Sequence, residues 1–157
     1  MALRRNRSSL FYALHVLLPL LLGFGLYVLL RPEVLAVRVV FSLLPFDLPQ
    51  PPQWPDAASP VIRLLRCHAA DFLWGYALAM ALFWVGDRYG HPPGKSIGLS
   101  IFADLLMELL QLTPLLSGVF DPWDIFTQIL GTGIAACTVA DYNTIVRHIK
   151  EKGEKQR

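Results

Sequence analysis

Charge is scarce in this chain. Of its 157 residues only 17% are Asp, Glu, Lys or Arg and 54% are hydrophobic, where a soluble domain carries about 25% charged and roughly 45–50% apolar residues. The net charge is only +2, and the basic residues sit at the ends of apolar blocks. That excludes a nucleic-acid-binding module, and the apolar content excludes a disordered chain. Cysteine is almost missing. The two present, Cys67 and Cys137, force no disulfide framework and read as packing residues. The chain has no internal repeat, no Ser, His and Asp arrangement, and no Gly-x-Gly-Asp of the aspartyl intramembrane proteases. It is also too short for a large transporter.

What is present is a set of apolar blocks. Four are long enough to test: 9–30, 69–86, 97–116 and 123–140. A membrane-spanning helix needs roughly 20 residues, and all four qualify on length. The first block contains His15 as its one strongly polar side chain, and it follows Arg4, Arg5 and Arg7. A signal peptide would have that charged start, and Val34-Leu35-Ala36 offers a small residue for cleavage. The apolar run is longer than the roughly 7–15 residues of such a segment, and Arg31, Pro32 and Glu33 intervene. Retention as a first helix is the expectation.

The stretch 31–68 holds Pro45, Pro49, Pro51, Pro52, Pro55 and Pro60, a density that excludes a helix or central strand across 45–60. It is expected as an external loop, with 33–44 too short to span and suited either to lie at the interface or to dip inward. The stretch 87–96 contains Gly90, Pro92, Pro93 and Gly94 and reads as a turn-rich connection. A second tight turn is expected over 113–122, and 147–157 is a charged tail. The expected organisation is a basic start at 1–8, a four-helix membrane domain over 9–146 and that tail.

Orientation follows from Lys and Arg near the spans. With the N-terminus inside, the cytoplasmic side receives Arg4, Arg5, Arg7, Arg88, Lys95, Arg147, Lys150, Lys152, Lys155 and Arg157, and the outer side Arg31, Arg38, Arg63 and Arg66. Ten against four favours both termini in the cytoplasm. That topology assigns depths. Asp71, Glu108, Gln111, Asp121, Asp124 and Gln128 fall in one outer leaflet, with Asp104 nearer the middle.

Spacing then groups these residues. Asp104, Glu108 and Gln111 are i, i+4, i+7 on one helical face, and Asp124, Gln128 and Gly131 repeat that spacing. A charge at the bilayer centre costs about 2.5–3.5 kcal/mol on insertion scales, so both stripes should face the bundle interior and each other. Gln111 and Gln128 also suit helix-to-helix hydrogen bonding, and Asp-Pro-Trp-Asp at 121–124 reads as a helix start with Asp121 in a turn and Asp124 as a cap. Glu108 has no basic residue in its own apolar block, 97–116, to pair with. A deep carboxyl of this kind is protonated or binds a cation or cationic ligand. Arg63 and Arg66 stand at the outer end of the second span, placed either to anchor the surface or to fold over the acidic mouth. No cofactor is expected and no metal site is assigned. His68 and Asp71 stand i, i+3 and sketch a group with Glu108, but no repeated metal-ligand spacing supports it. Trp54, Trp74, Trp84 and Trp123 read as mostly interfacial, Trp74 and Trp123 near the outer end and Trp84 near the inner.

Glu108-Leu-Leu-Gln111, Gly118-Val-Phe-Asp121-Pro-Trp-Asp124 and Gln128-Ile-Leu-Gly131 together resemble the core of the VanZ-like family of small bacterial membrane proteins, and Asp71-Phe-Leu-Trp-Gly-Tyr76 resembles its earlier helix. The resemblance covers roughly 67–140. The family pattern often has an Arg before the first Asp, where this chain has Ser117-Gly118-Val119; it has an Asn where Gln128 stands and a His where Asp71 stands. The resemblance implies a link to glycopeptide (teicoplanin) resistance. The expectation is therefore an all-α, four-span protein of the bacterial cytoplasmic membrane and cell envelope. Its outward acidic pocket of Asp71, Asp104, Glu108, Gln111, Asp121, Asp124 and Gln128 would bind a ligand, a lipid headgroup or a partner helix, with a cell-wall precursor or a glycopeptide among the candidates and no nucleic acid. No catalytic residue is assigned. The rival classes are an intramembrane enzyme using paired carboxylates on a lipid-linked substrate, and a small cation or proton conductor.

Overall fold

A computed structural model describes residues 2–30, 35–45, 60–113 and 120–155. Within them every regular element is an α-helix: α1 (Ala2–Leu30), α2 (Leu35–Ser42), α3 (Pro60–Tyr89), α4 (Pro93–Gln111) and α5 (Pro122–Lys155). Most of the proline-rich stretch, including Trp54, and most of the expected second turn, including Gly118, lie outside the described residues.

Three helices open on a proline: Pro60, Pro93 and Pro122. Proline fits the first helical position because its missing N–H would have no partner there and its φ is already helical. This is why α3 begins at Pro60, although the proline density of 45–60 and the loop expected to extend to 68 put the helix start later. A proline in a helix interior removes one backbone hydrogen bond; α1 contains one, Pro19, and runs through it unbroken. The turn between α3 and α4 falls where the sequence placed it. Gly90 takes φ +70°, which only glycine adopts without strain. The His91 N–H then reaches back to the Gly86 carbonyl at 2.8 Å, closing a Schellman cap.

α3 is the central helix and packs against α1, α4 and α5. Its partners set the directions. His68 meets Asp124, Gly75 meets Gln128, and Tyr76 meets Gly131, so α3 and α5 run the same way. Ser96 reaches Leu82, Ser100 reaches Thr132 and Glu108 faces Asp124, so α4 runs the opposite way over the same levels. On α1, His15 pairs with Tyr76 and Tyr27 with Asp71, so α1 is also antiparallel to α3. The core of Tyr12, Tyr76, Ala79, Met80, Phe83, Ala135 and Val139 joins α1, α3 and α5.

Three helices are long and apolar enough to cross a membrane: Ser9–Leu30, Cys67–Tyr89 and Pro122–Ile149. They correspond to the blocks 9–30, 69–86 and 123–140. The block 97–116 does not qualify in the same way. Its helix ends at Gln111 and carries Lys95, Asp104 and Glu108. Leu10, Leu14, Leu17, Leu18 and Leu21 are exposed along α1, a surface that suits lipid and not water.

Candidate functional site

The polar side chains converge at the end of the bundle where α3 and α5 begin and α4 ends. Asp121 caps α5: its Oδ1 accepts the Trp123 N–H at 2.9 Å, with Pro122 at the first helical position. The cap is thus Asp121 and not Asp124, because Pro122 has no N–H and the orphan donor of Trp123 lies within reach of the residue before it. Asp124 points across to α3 instead. Its Oδ1 lies 2.9 Å from His68 Nδ1, with both side chains about four-fifths buried.

α4 contributes its one buried stripe, Ser96, Ser100, Asp104 and Glu108, at strict four-residue spacing. Glu108 is 2% exposed. Gln111, a turn further on, donates to its Oε1 at 3.0 Å, and the Asp121 backbone and the Asp124 carboxylate lie against it. Its Oε2 is buried without a hydrogen-bond partner among the described residues. Asp104 lies a turn deeper, 1% exposed, with neither carboxyl oxygen partnered among the described residues. Deeper still, the Ser100 and Thr132 hydroxyls meet at 2.9 Å and tie α4 to α5. Among the described residues no Lys or Arg pairs with Glu108, Asp121 or Asp124.

The structure therefore brings Glu108, Gln111, Asp121 and Asp124 together. Gln128 is buried one turn below Asp124, at the α3–α5 crossing, with its Oε1 unpartnered among the described residues. Asp71 turns toward α1, where it accepts the Tyr27 hydroxyl at 3.4 Å. The sequence pairing of His68 with Asp71 and Glu108 is replaced by another: His68, Asp121 and Asp124 each offer a ligand atom, and these lie within 4.8 Å of one another. Asp71 stands less than one turn further along α3 and about 60° around it, and its carboxyl meets Tyr27 on α1 instead. Ser96 and Ser100 were missed, yet both continue the Asp104–Glu108 register backwards by four and eight. Thr132 and the His68–Asp124 partnership carried no signal in the sequence. Arg63 is exposed and belongs to no ion pair among the described residues, while the Arg66 side chain lies outside them.

Beside this cluster runs an apolar trough of about 560 Å³ between α3 and α5. Leu64, Ala69 and Phe72 line one wall, Trp123, Phe126 and Leu130 the other, and His68 and Thr127 provide its few polar atoms. Trp74 and Trp123 are exposed on the surface of the bundle. The helices and their apolar surface define a multi-pass membrane protein with a polar cluster at one end of the bundle. Comparison with family models, curated proteins and solved structures returned no match.

Proposed function

We propose that the chain is a four-span, VanZ-like protein of the bacterial cytoplasmic membrane that binds the head of an amphiphile at the outward end of its bundle, without catalysis. α4 is the fourth span in this reading. Its charges Asp104 and Glu108 are buried, while Leu99, Phe102, Leu105, Leu106 and Leu109 are exposed, so the face offered to lipid is apolar despite the charge count. The excess of Lys and Arg on one side supports cytoplasmic termini.

The observation that carries the reading is the adjacency of two environments. A buried, partly unpartnered carboxyl lies against Asp121 and Asp124, and His68, the partner of Asp124, lines an apolar trough between α3 and α5. A water-soluble ligand has no use for the trough. A lipid-linked molecule, such as a cell-wall precursor, fills both, because its chain replaces bilayer lipid in the trough while its head meets the polar groups.

The test is titration of the protein in nanodiscs with a lipid-linked cell-wall precursor. Saturable binding is expected, weakened by Glu108→Gln and by Thr127→Trp, which fills the trough. Equal binding by both variants defeats the reading, and turnover of the lipid replaces it with the intramembrane enzyme. Conduction is favoured by one observation, the polar column from Glu108 through Asp104 to Ser100 and Thr132. Proton flux in liposomes that is lost in Asp104→Asn would establish it.

A further inference from the structure

We propose that His68, Asp121 and Asp124 bind a divalent cation of the Zn²⁺ or Mn²⁺ type at the mouth of the bundle, with Glu108 accepting a hydrogen bond from a water on that ion. The proposal rests on the reading of this cluster as a binding site, and it names the ion on which the amphiphile head would sit.

Three observations carry it. First, the geometry is near that of a ligand set. Two ligand atoms about 2.1 Å from one metal at right angles are about 3.0 Å apart, and His68 Nδ1 and Asp124 Oδ1 are 2.9 Å apart. Asp121 completes a group whose ligand atoms lie within 4.8 Å of one another, and a small rotation of its carboxyl closes the remainder. One of its oxygens accepts the Trp123 N–H, which keeps the carboxyl at the start of α5. Second, Glu108 is 2% exposed, stands against Asp121 and Asp124, and has an oxygen with no hydrogen-bond partner among the described residues. Buried polar atoms are almost always satisfied, and a metal-bound water is a donor of the right kind for that oxygen. Third, three carboxyl groups meet with no Lys or Arg to pair with them among the described residues. Carboxylates with one imidazole suit Zn²⁺ and Mn²⁺, and in a low-dielectric setting the ion supplies the charge the cluster lacks. An ion there would also give the mouth affinity for a phosphate-bearing head, which bare carboxylates repel.

The experiment uses the full-length, tag-free protein in detergent, stripped with chelator, dialysed and titrated with Zn²⁺ or Mn²⁺ alone by calorimetry and elemental analysis. One ion per chain is expected, and it should persist in Cys67→Ser, since Cys67 adjoins His68 in the sequence. Asp124→Asn and His68→Gln should each weaken binding about tenfold or more, and Glu108→Gln by a comparable factor of about ten. X-ray absorption of the Zn²⁺ form should show nitrogen and oxygen neighbours without sulfur. His68→Cys keeps the proposal testable if other variants unfold: it should retain Zn²⁺ and gain a sulfur neighbour at about 2.3 Å. No bound ion in the wild type, equal binding by Asp124→Asn and His68→Gln, or sulfur in the wild-type spectrum would each overturn the proposal. An amphiphile that binds the chelated protein unchanged overturns the ion's role in head recognition and leaves the amphiphile reading standing.

Discussion

Glu108 sits where a carboxyl is expensive and where a simpler residue would pack. It is almost fully buried, and one of its oxygens lacks a partner among the described residues. A helix-bonding role would call for satisfied atoms; a binding role calls for an atom held ready. The two readings predict opposite stability effects. Glu108→Met fills the same volume without a polar group, so its thermal midpoint in detergent should rise, by an amount equivalent to about 1 kcal/mol, while headgroup binding is lost. A lowered midpoint would mark Glu108 as helix glue. His68→Gln should behave differently, because it breaks a made bond to Asp124; a loss of about 1 kcal/mol is expected in the same measurement. Glu108 was legible in the sequence because a carboxyl in an apolar helical run is conspicuous at any depth. The role of His68 was not, because a histidine's partner across 56 residues is set by how α3 and α5 cross.

That crossing depends on two glycines. A methyl group on Gly75 would lie 2.5 Å from the Gln128 carbonyl oxygen, and one on Gly131 would collide with the Phe72 carbonyl oxygen. The backbones of α3 and α5 therefore touch, and the close approach is what places His68 opposite Asp124. Membrane helices pack this way because lipid competes with large side chains but not with backbone contact. Gly131→Ala should cost about 1–3 kcal/mol in thermal unfolding in detergent. Ser100→Ala, which removes the hydroxyl bond to Thr132 between α4 and α5, should cost only about 0.6 kcal/mol. If the order of the two is reversed, the glycine contact is not the determinant of the crossing. Gly131 also stands on the Asp124–Gln128 stripe, so loss of ion binding in Gly131→Ala is expected from displacement of Asp124 alone.

For the whole molecule the testable statement is its orientation. A reporter fused after Arg157 should be cytoplasmic and one inserted near Gln53 should be external. A membrane-impermeant thiol reagent applied to intact cells gives an independent check. Cys67 is partly exposed near the polar mouth and should react, whereas Cys137, exposed on the lipid-facing flank of α5, should not. The reverse labelling would put the mouth in the cytoplasm and remove any extracellular ligand from consideration. The two cysteines are free thiols that stand several turns apart along parallel helices.

The sequence by itself determined the class. Apolar runs of spanning length, proline and glycine at their boundaries, and carboxyl and amide groups at helical spacing are local features, and local features survive without a fold. They defined α1, α3 and α5 as candidate spans, the Gly90 turn, and the inward face of α4 through Asp104 and Glu108. Only the tertiary structure decided which polar groups meet. The α3–α5 backbone contact sets His68 on Asp124 and turns Asp71 to Tyr27, the proline at 122 makes Asp121 the cap and leaves Asp124 to reach across, and the register of α4 brings Glu108 to their level. The reason is physical: spacing along one helix determines a face, but the partner of that face depends on crossing geometry, which arises from close contacts between residues far apart in the chain.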